Sequence, residues 1–179
     1  MSFEPVPEAE LRQDGDGLVP AAEGWFVVNV ADARATESQR FGKGARFEGR
    51  GDARFPEFGI NVRVVEPGQP ASLYHRENAQ EAFLVLSGEC LLIVEQQERP
   101  LRKGDFVHLP SGTAHVLVGA GTEPAAVLMV GTRKDPEELL YEVSEAAARY
   151  GGSADRETPD AREAYGPNEL NDTRLGLPW

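Results

Sequence analysis

Cysteine is nearly absent from this 179-residue sequence: Cys90 stands alone, which excludes an intrachain disulfide and disfavours a structural zinc site built on thiolates. It borders the apolar run LLIV, so a buried and inert thiol is expected rather than a nucleophile. Long apolar runs are also missing. None approaches the roughly 20 residues that a bilayer-crossing helix needs. The opening MSFEPVPEAELRQDGDG has neither a basic stretch nor an apolar core behind it, so no signal peptide is expected and a cytoplasmic location is the simplest reading. Positive charge is in deficit: 18 Lys and Arg face 30 Asp and Glu, a formal net charge of −12. Such a surface repels phosphate backbones and anionic lipids. With no DNA-binding motif in view, neither nucleic acid nor a membrane is expected as a partner.

What is present is ordinary for one globular domain with an extension, at 40% hydrophobic and 27% charged residues. Residues 1–24 mix Pro, Gly and acidic residues without a clear period and read as a loose N-terminal arm. WFVVNV (25–30) is the first strand candidate, followed by a polar, glycine-rich stretch to Arg54. From residue 59 short strand-like runs follow one another: GINVRVVE, SLYHRE, EAFLVLS, ECLLIVE, ERPLR, DFVHLP, AHVLVGA and AAVLMVG. Turn residues separate them, as EPGQP, SG, KGD, PSGT and GTEP. This spacing predicts an all-β sandwich or barrel over residues 25–134. Ile60, Val62 and Val64 share one strand face, and several other strands are apolar on both faces. That pattern suits a barrel whose outside is covered by other elements or by a second subunit. The tail, 135–179, predicts short C-terminal helices: DPEELL, SEAAARYGG and TPDAREAYG each open on a capping residue. A homodimer is expected from the two-sided strands, the amphipathic tail and Trp179, which needs an apolar seat.

Histidine is scarce too. The three, His75, His108 and His115, all lie within the β region. In YHRENAQEAFLVLSGE, His75 and Glu77 are two apart and so share a strand face. Glu81 opens the next strand after a possible turn at 78–80 and can return a carboxylate to the same place. His115 follows a Pro-x-Gly turn at the start of a later strand. Two imidazoles and up to two carboxylates would converge, the mixed nitrogen and oxygen donor set that a divalent ion requires. Phe83 and Val85 share parity with Glu81 and are expected to line the cavity. Tyr74 and Arg76 alternate away from His75 and are expected to face outward. His108 shares a face with Phe106, and either a structural or a cavity-lining role is open to it.

These residues resemble the two motifs of the cupin superfamily. Gly68, His75, Glu77, Glu81 and Gly88 correspond to the first. Gly104, Pro110, Gly112 and His115 correspond to the second, with Gly119 where Asn is common. The resemblance covers roughly residues 57–131. It implies a cupin double-stranded β-helix (jelly-roll barrel) and a divalent metal held by His75, Glu77, Glu81 and His115. The family usually supplies three histidines and one glutamate, and here two registers are open. In one, Glu77 stands at the second histidine position. In the other, Leu73 and His75 fill the His-x-His pair, Glu77 is not a ligand, and His75, Glu81 and His115 form a two-histidine, one-carboxylate set suited to Fe(II). Fe, Mn, Ni, Co and Zn all remain open.

Function does not follow from such a fold. One expectation is a metalloenzyme, dioxygenase-like or isomerase-like, acting on a small organic molecule. The alternative is a non-catalytic module that binds a small-molecule ligand or serves a structural role.

Overall fold

Side chains alternate with a period of two along most of the chain between Phe58 and Thr132, and the computed structural model, which describes residues 4–179, forms strands there. In chain order the strands are β1 (Leu11–Asp14), β2 (Gly17–Pro20), β3 (Ala35–Ser38), β4 (Gly42–Arg46), β5 (Phe58–Val65), β6 (His75–Glu77) and β7 (Glu81–Ser87). They continue as β8 (Glu89–Val94), β9 (Gln97–Arg102), β10 (Phe106–Leu109), β11 (His115–Ala120), β12 (Ala125–Thr132) and β13 (Leu139–Tyr141). Two short helices, α1 (Glu145–Ala148) and α2 (Ala161–Tyr165), precede β14 (Asn171–Thr173). One antiparallel sheet runs β10-β7-β12-β5-β4-β3-β14, the other β13-β6-β11-β8-β9, and β1-β2 is a separate hairpin. This is the expected all-β jelly roll with few, short helices.

The interior packs Val65, Phe83, Val85, Leu92, Leu117 and Val127 from both sheets. Each such side chain contributes roughly 1.5–3 kcal/mol by leaving water. The outer faces are covered as well. Val62 and Val64 pack outward beneath Ala33, Ala35 and Leu175. Tyr74, Ile93, Val116 and Val118 lie under Ala147 of α1. The two-sided apolar strands, one ground for expecting a homodimer, are thus accounted for within the chain. Trp179 is 60% exposed, so the described residues give it no apolar seat.

Several local expectations change. Part of the supposed loose arm is the β1–β2 hairpin, which turns at Gly15 (φ 61°) and is tied on by Leu18 N–H donating to the Asp32 carbonyl at 2.8 Å. The Asp-Gly pairs in QDGDGLVP are the hairpin signal. WFVVNV is not a strand, and Val27 is 80% exposed. The sheet edge beyond β3 is taken by β14, so the strand propensity of this run finds no ladder to join. In the tail, DPEELL does not start a helix. Residues 139–141 pair with β6, while Asn78 clamps the approach through its side-chain bonds to Pro136 O and Glu138 N. Of the two helices that do form, α1 uses the expected cap, Ser144 accepting from Ala147 N, whereas α2 starts two residues later than expected, capped by Asp160 rather than Thr158, with Asp160 accepting from Arg162 N and Glu163 N. The segment 135–179 therefore adds a strand to each sheet and is woven into the barrel.

Candidate metal centre

His75 and His115 open β6 and β11 and stand directly opposite each other in the ladder, with ring centroids 4.9 Å apart. Each imidazole is anchored in the same way. His75 Nδ1 lies 2.7 Å from the Leu73 carbonyl, and His115 Nδ1 lies 3.0 Å from the Thr113 carbonyl. A carbonyl can only accept, so Nδ1 carries the proton on both rings and Nε2 keeps its lone pair. Glu81 comes from the other sheet, where it opens β7, and brings Oε2 to 3.2 Å from His115 Nε2. One ligand atom from each of His75, Glu81 and His115 lies within 4.8 Å of the others. His115 is buried, at 3% exposure.

Burial suits the two imidazoles to this role. Desolvation lowers the pKa of His75, and it lowers that of His115 to about 4, helped by the neighbouring His75. Both rings are therefore neutral donors at ordinary pH. The Glu81 carboxyl is pushed up to about 8, by burial first and then by the charge of Glu77. Burial also raises the Glu77 pKa, with Glu137 adding to the effect. Glu77 stands beside Glu81, but it does not join the three-residue cluster. It lines a second cavity with Glu137, Arg133 and Lys134. His75, Glu81 and His115, the set of the second register, each bring a ligand atom together, and Glu77 is hydrogen-bonded to Glu81 next to them.

The other sequence expectations sort by strand parity. Phe83 lines the cavity with its ring 5.4 Å from His115, and Val85 lies deeper in the same interior core. On β10, Val107 and Leu109 are buried while Phe106 and His108 are exposed, which places His108 away from the centre. Arg76 points outward and pairs with Glu142. Tyr74 also points away from the cavity, but it is fully buried beneath α1 rather than facing solvent, and its hydroxyl accepts from Gln96 N. Cys90 is buried in the interior core, and its thiol is pushed up to about 12. Gly119, where the second motif often has Asn, has a steric reason. A Cβ there would come within 2.2 Å of the Glu66 carbonyl oxygen, a backbone atom that cannot swing aside.

The centre opens on a cavity of about 420 Å³, a size typical of small-molecule sites. Phe83, Leu117 and Met129 make one wall apolar. The facing wall is polar and was not anticipated: Asn61 and Arg63 project inward from β5, with Arg46 from β4. The signal was the polar half of GINVRVVE, whose valines pack outward instead. Tyr141 and Tyr165 close the mouth from the tail, with rings 5.3 Å apart, and the Tyr165 hydroxyl accepts from Leu73 N at 3.3 Å.

Residues 61–131 match the family model of the cupin domain. No curated protein matches the chain. Among solved structures, the chain is similar to a sugar phosphate isomerase from the cupin superfamily of Silicibacter pomeroyi, with 28% identity over 84% of this chain and 82% of that one, and a TM-score of 0.49. It is similar to a predicted oxalate decarboxylase of Thermotoga maritima, with 18% identity over 61% of this chain and 100% of that one, and a TM-score of 0.53. It is similar also to the polyketide cyclase RemF of Streptomyces resistomycificus, with 16% identity, coverage of 62% and 80%, and a TM-score of 0.52. The two motifs, the facing sheets and the matched family model agree: the chain contains a cupin-2-like domain carried on a double-stranded β-helix.

Proposed function

We propose that this cupin binds one divalent metal ion through Nε2 of His75, Nε2 of His115 and the carboxylate of Glu81, and acts with it on a small organic molecule in the adjoining cavity. The observation that carries the reading is the convergence of those three donors within 4.8 Å, with both imidazoles held in the tautomer that presents Nε2. The donor set fits. Two neutral nitrogens and one carboxylate are a three-donor set of the kind that suits Fe(II), and Mn, Ni, Co or Zn would be accepted by the same ligands. A bound ion would supply Lewis acidity or, as iron, oxygen chemistry, which makes isomerase-like and dioxygenase-like reactions the two classes to assay.

The chain's own groups prepare the site. The Leu73 and Thr113 carbonyls fix the rings. Phe83, Leu117 and Met129 limit water on the apolar side. Glu77, its pKa raised by burial and by Glu137, is placed to take or give a proton next to the centre.

The test is metal content by mass spectrometry on untagged protein. Near-stoichiometric metal is expected in the wild type and in Glu77→Ala, and its loss in His115→Ala and Glu81→Ala. A wild type that stays metal-free after reconstitution with Fe(II), Mn(II) and Zn(II) would sink the proposal and leave a non-catalytic binding module as the function.

A further inference from the structure

Arg63 is an inward-facing guanidinium on β5, in the wall of the metal-centre cavity. Its Nη2 donates to the carbonyls of Phe41 and Ala71. No acceptor among the described residues meets its Nε or Nη1, and it forms no ion pair with a carboxylate. Arg46 lies on the neighbouring strand, in ladder register with Asn61, and likewise has no carboxylate partner among the described residues. The two guanidiniums are near enough that Arg46 helps to lower the Arg63 pKa, after desolvation by burial. Two like charges facing one cavity, one of them largely out of water, cost free energy unless an anion joins them.

Two further features belong to the same wall. The Asn61 Oδ1 is buried without a hydrogen-bond partner, and Asn61 lines the cavity. Buried amide atoms are normally satisfied, so an orphan in a cavity wall points to a missing polar group. Gly44, paired with Arg63 in the ladder, leaves the room that the guanidinium fills, since a Cβ at Gly44 would fall 2.5 Å from Arg63 Nη1. Glu81 is the one carboxylate in this wall among the described residues, and it is engaged with His115 at the other end. Two guanidiniums and one carboxylate thus line this cavity, within a chain of net charge −12.

We propose that Arg63, Arg46 and Asn61 form an oxyanion subsite that binds the carboxylate or phosphate of a small hydroxylated molecule and presents the rest of it to the His75–Glu81–His115 centre. Guanidiniums suit this task, because their forked N–H groups match carboxylate and phosphate oxygens in pairs. Asn61 Oδ1 would accept from a hydroxyl of the same molecule. The orientation towards the centre rests on the metal reading above, whereas anion binding does not.

The test therefore uses metal-stripped protein. Arginine Nε–Hε resonances are followed by NMR during titration with inorganic phosphate, with glycolate, and with neutral ethylene glycol. The Arg63 and Arg46 signals are expected to shift saturably with phosphate or glycolate and not with ethylene glycol. A preference for phosphate assigns a phosphomonoester as the ligand, and a preference for glycolate assigns a hydroxycarboxylate. Arg46→Ala, whose side chain holds no structural bond, should weaken binding about tenfold or more, as should Arg63→Lys, which keeps the charge but not the fork. Shifts no larger than those of exposed Arg102, or affinities unchanged in both variants, would overturn the subsite. Neither result depends on whether the centre holds metal.

Discussion

The Glu81 carboxylate reaches His115 Nε2 at 3.2 Å across the gap between two sheets, since β7 and β11 belong to different ones. The contact bridges the two sheets at the candidate metal centre. Burial there, with the charge of Glu77 alongside, also sets a protonation state: with its pKa raised to about 8, the Glu81 carboxyl holds a proton at neutral pH.

Metal binding must displace that proton. Affinity is expected to climb as pH rises and to level off above about 8, the value at which Glu81 ionises by itself. Titrations in two buffers of different ionisation enthalpy should report proton release below that pH. Glu77→Gln removes a charge that raises the Glu81 pKa, so the midpoint should move to lower pH while the metal stoichiometry stays intact. A midpoint that does not move would mean that Glu77 and Glu81 do not sense each other.

The metal-free protein should also show opposing pH effects on stability. Glu81 has a raised folded pKa, so the folded state holds more protons than the unfolded one between the ordinary carboxylate range and about 8. Stability from this group is lost as pH rises through that window. His115 is depressed to about 4, so its contribution is present above the ordinary imidazole value and is lost as pH falls towards 4. The two trends oppose each other in mildly acidic solution. Between pH 6.5 and 8 the imidazole trend has gone and the carboxyl trend remains, Glu77 acting in the same direction as Glu81, so Tm should decline there. Saturating metal should reverse that decline.

Gly119→Ala should destabilise the barrel by about 1–3 kcal/mol, because the new methyl meets the Glu66 backbone rather than a mobile side chain. Urea denaturation would measure it. His108→Ala is the control: the side chain is exposed, so stability should stay within roughly 0.5 kcal/mol and metal content should not change.

Leu175→Ala tests whether the tail belongs to the fold. The side chain is fully buried against Val62 and Val64, and its loss should cost about 2–5 kcal/mol. The same experiment can follow Cys90, whose buried thiol, pushed up to about 12, should resist alkylation in the native state and react at a rate set by unfolding.

The barrel strands and the three residues that converge, His75, Glu81 and His115, were legible for a common reason. His75, Glu81 and His115 sit at strand starts beside turns that glycine and proline announce, so a period of two and local chemistry were enough to locate them. What stayed hidden depended on contacts distant in the chain. Val62 and Val64 look core-facing, and which core they face is decided by Leu175, more than a hundred positions away. Arg63 reads as a solvent-facing residue until that same coverage turns its face inward. Tyr165 lies 92 residues from Leu73, whose backbone N–H it accepts, and no local pattern links them. WFVVNV differs for the complementary reason: its propensity is genuine, but in the folded chain the β3 edge is paired with β14.

The placement of β13 and β14 has a kinetic consequence. Arg34 and Asp172, bonded beside the β3–β14 pair, are 138 residues apart. The edges of both sheets are thus completed by residues made late, and loop closure of that length precedes any reward from the contacts it forms. A nascent chain with β3–β12 already made would carry bare strand edges and an uncovered outer apolar face, the features that invite aggregation. Refolding should accordingly be slow, with a phase in which the barrel strands are protected from hydrogen exchange before Glu37 and Arg76 are.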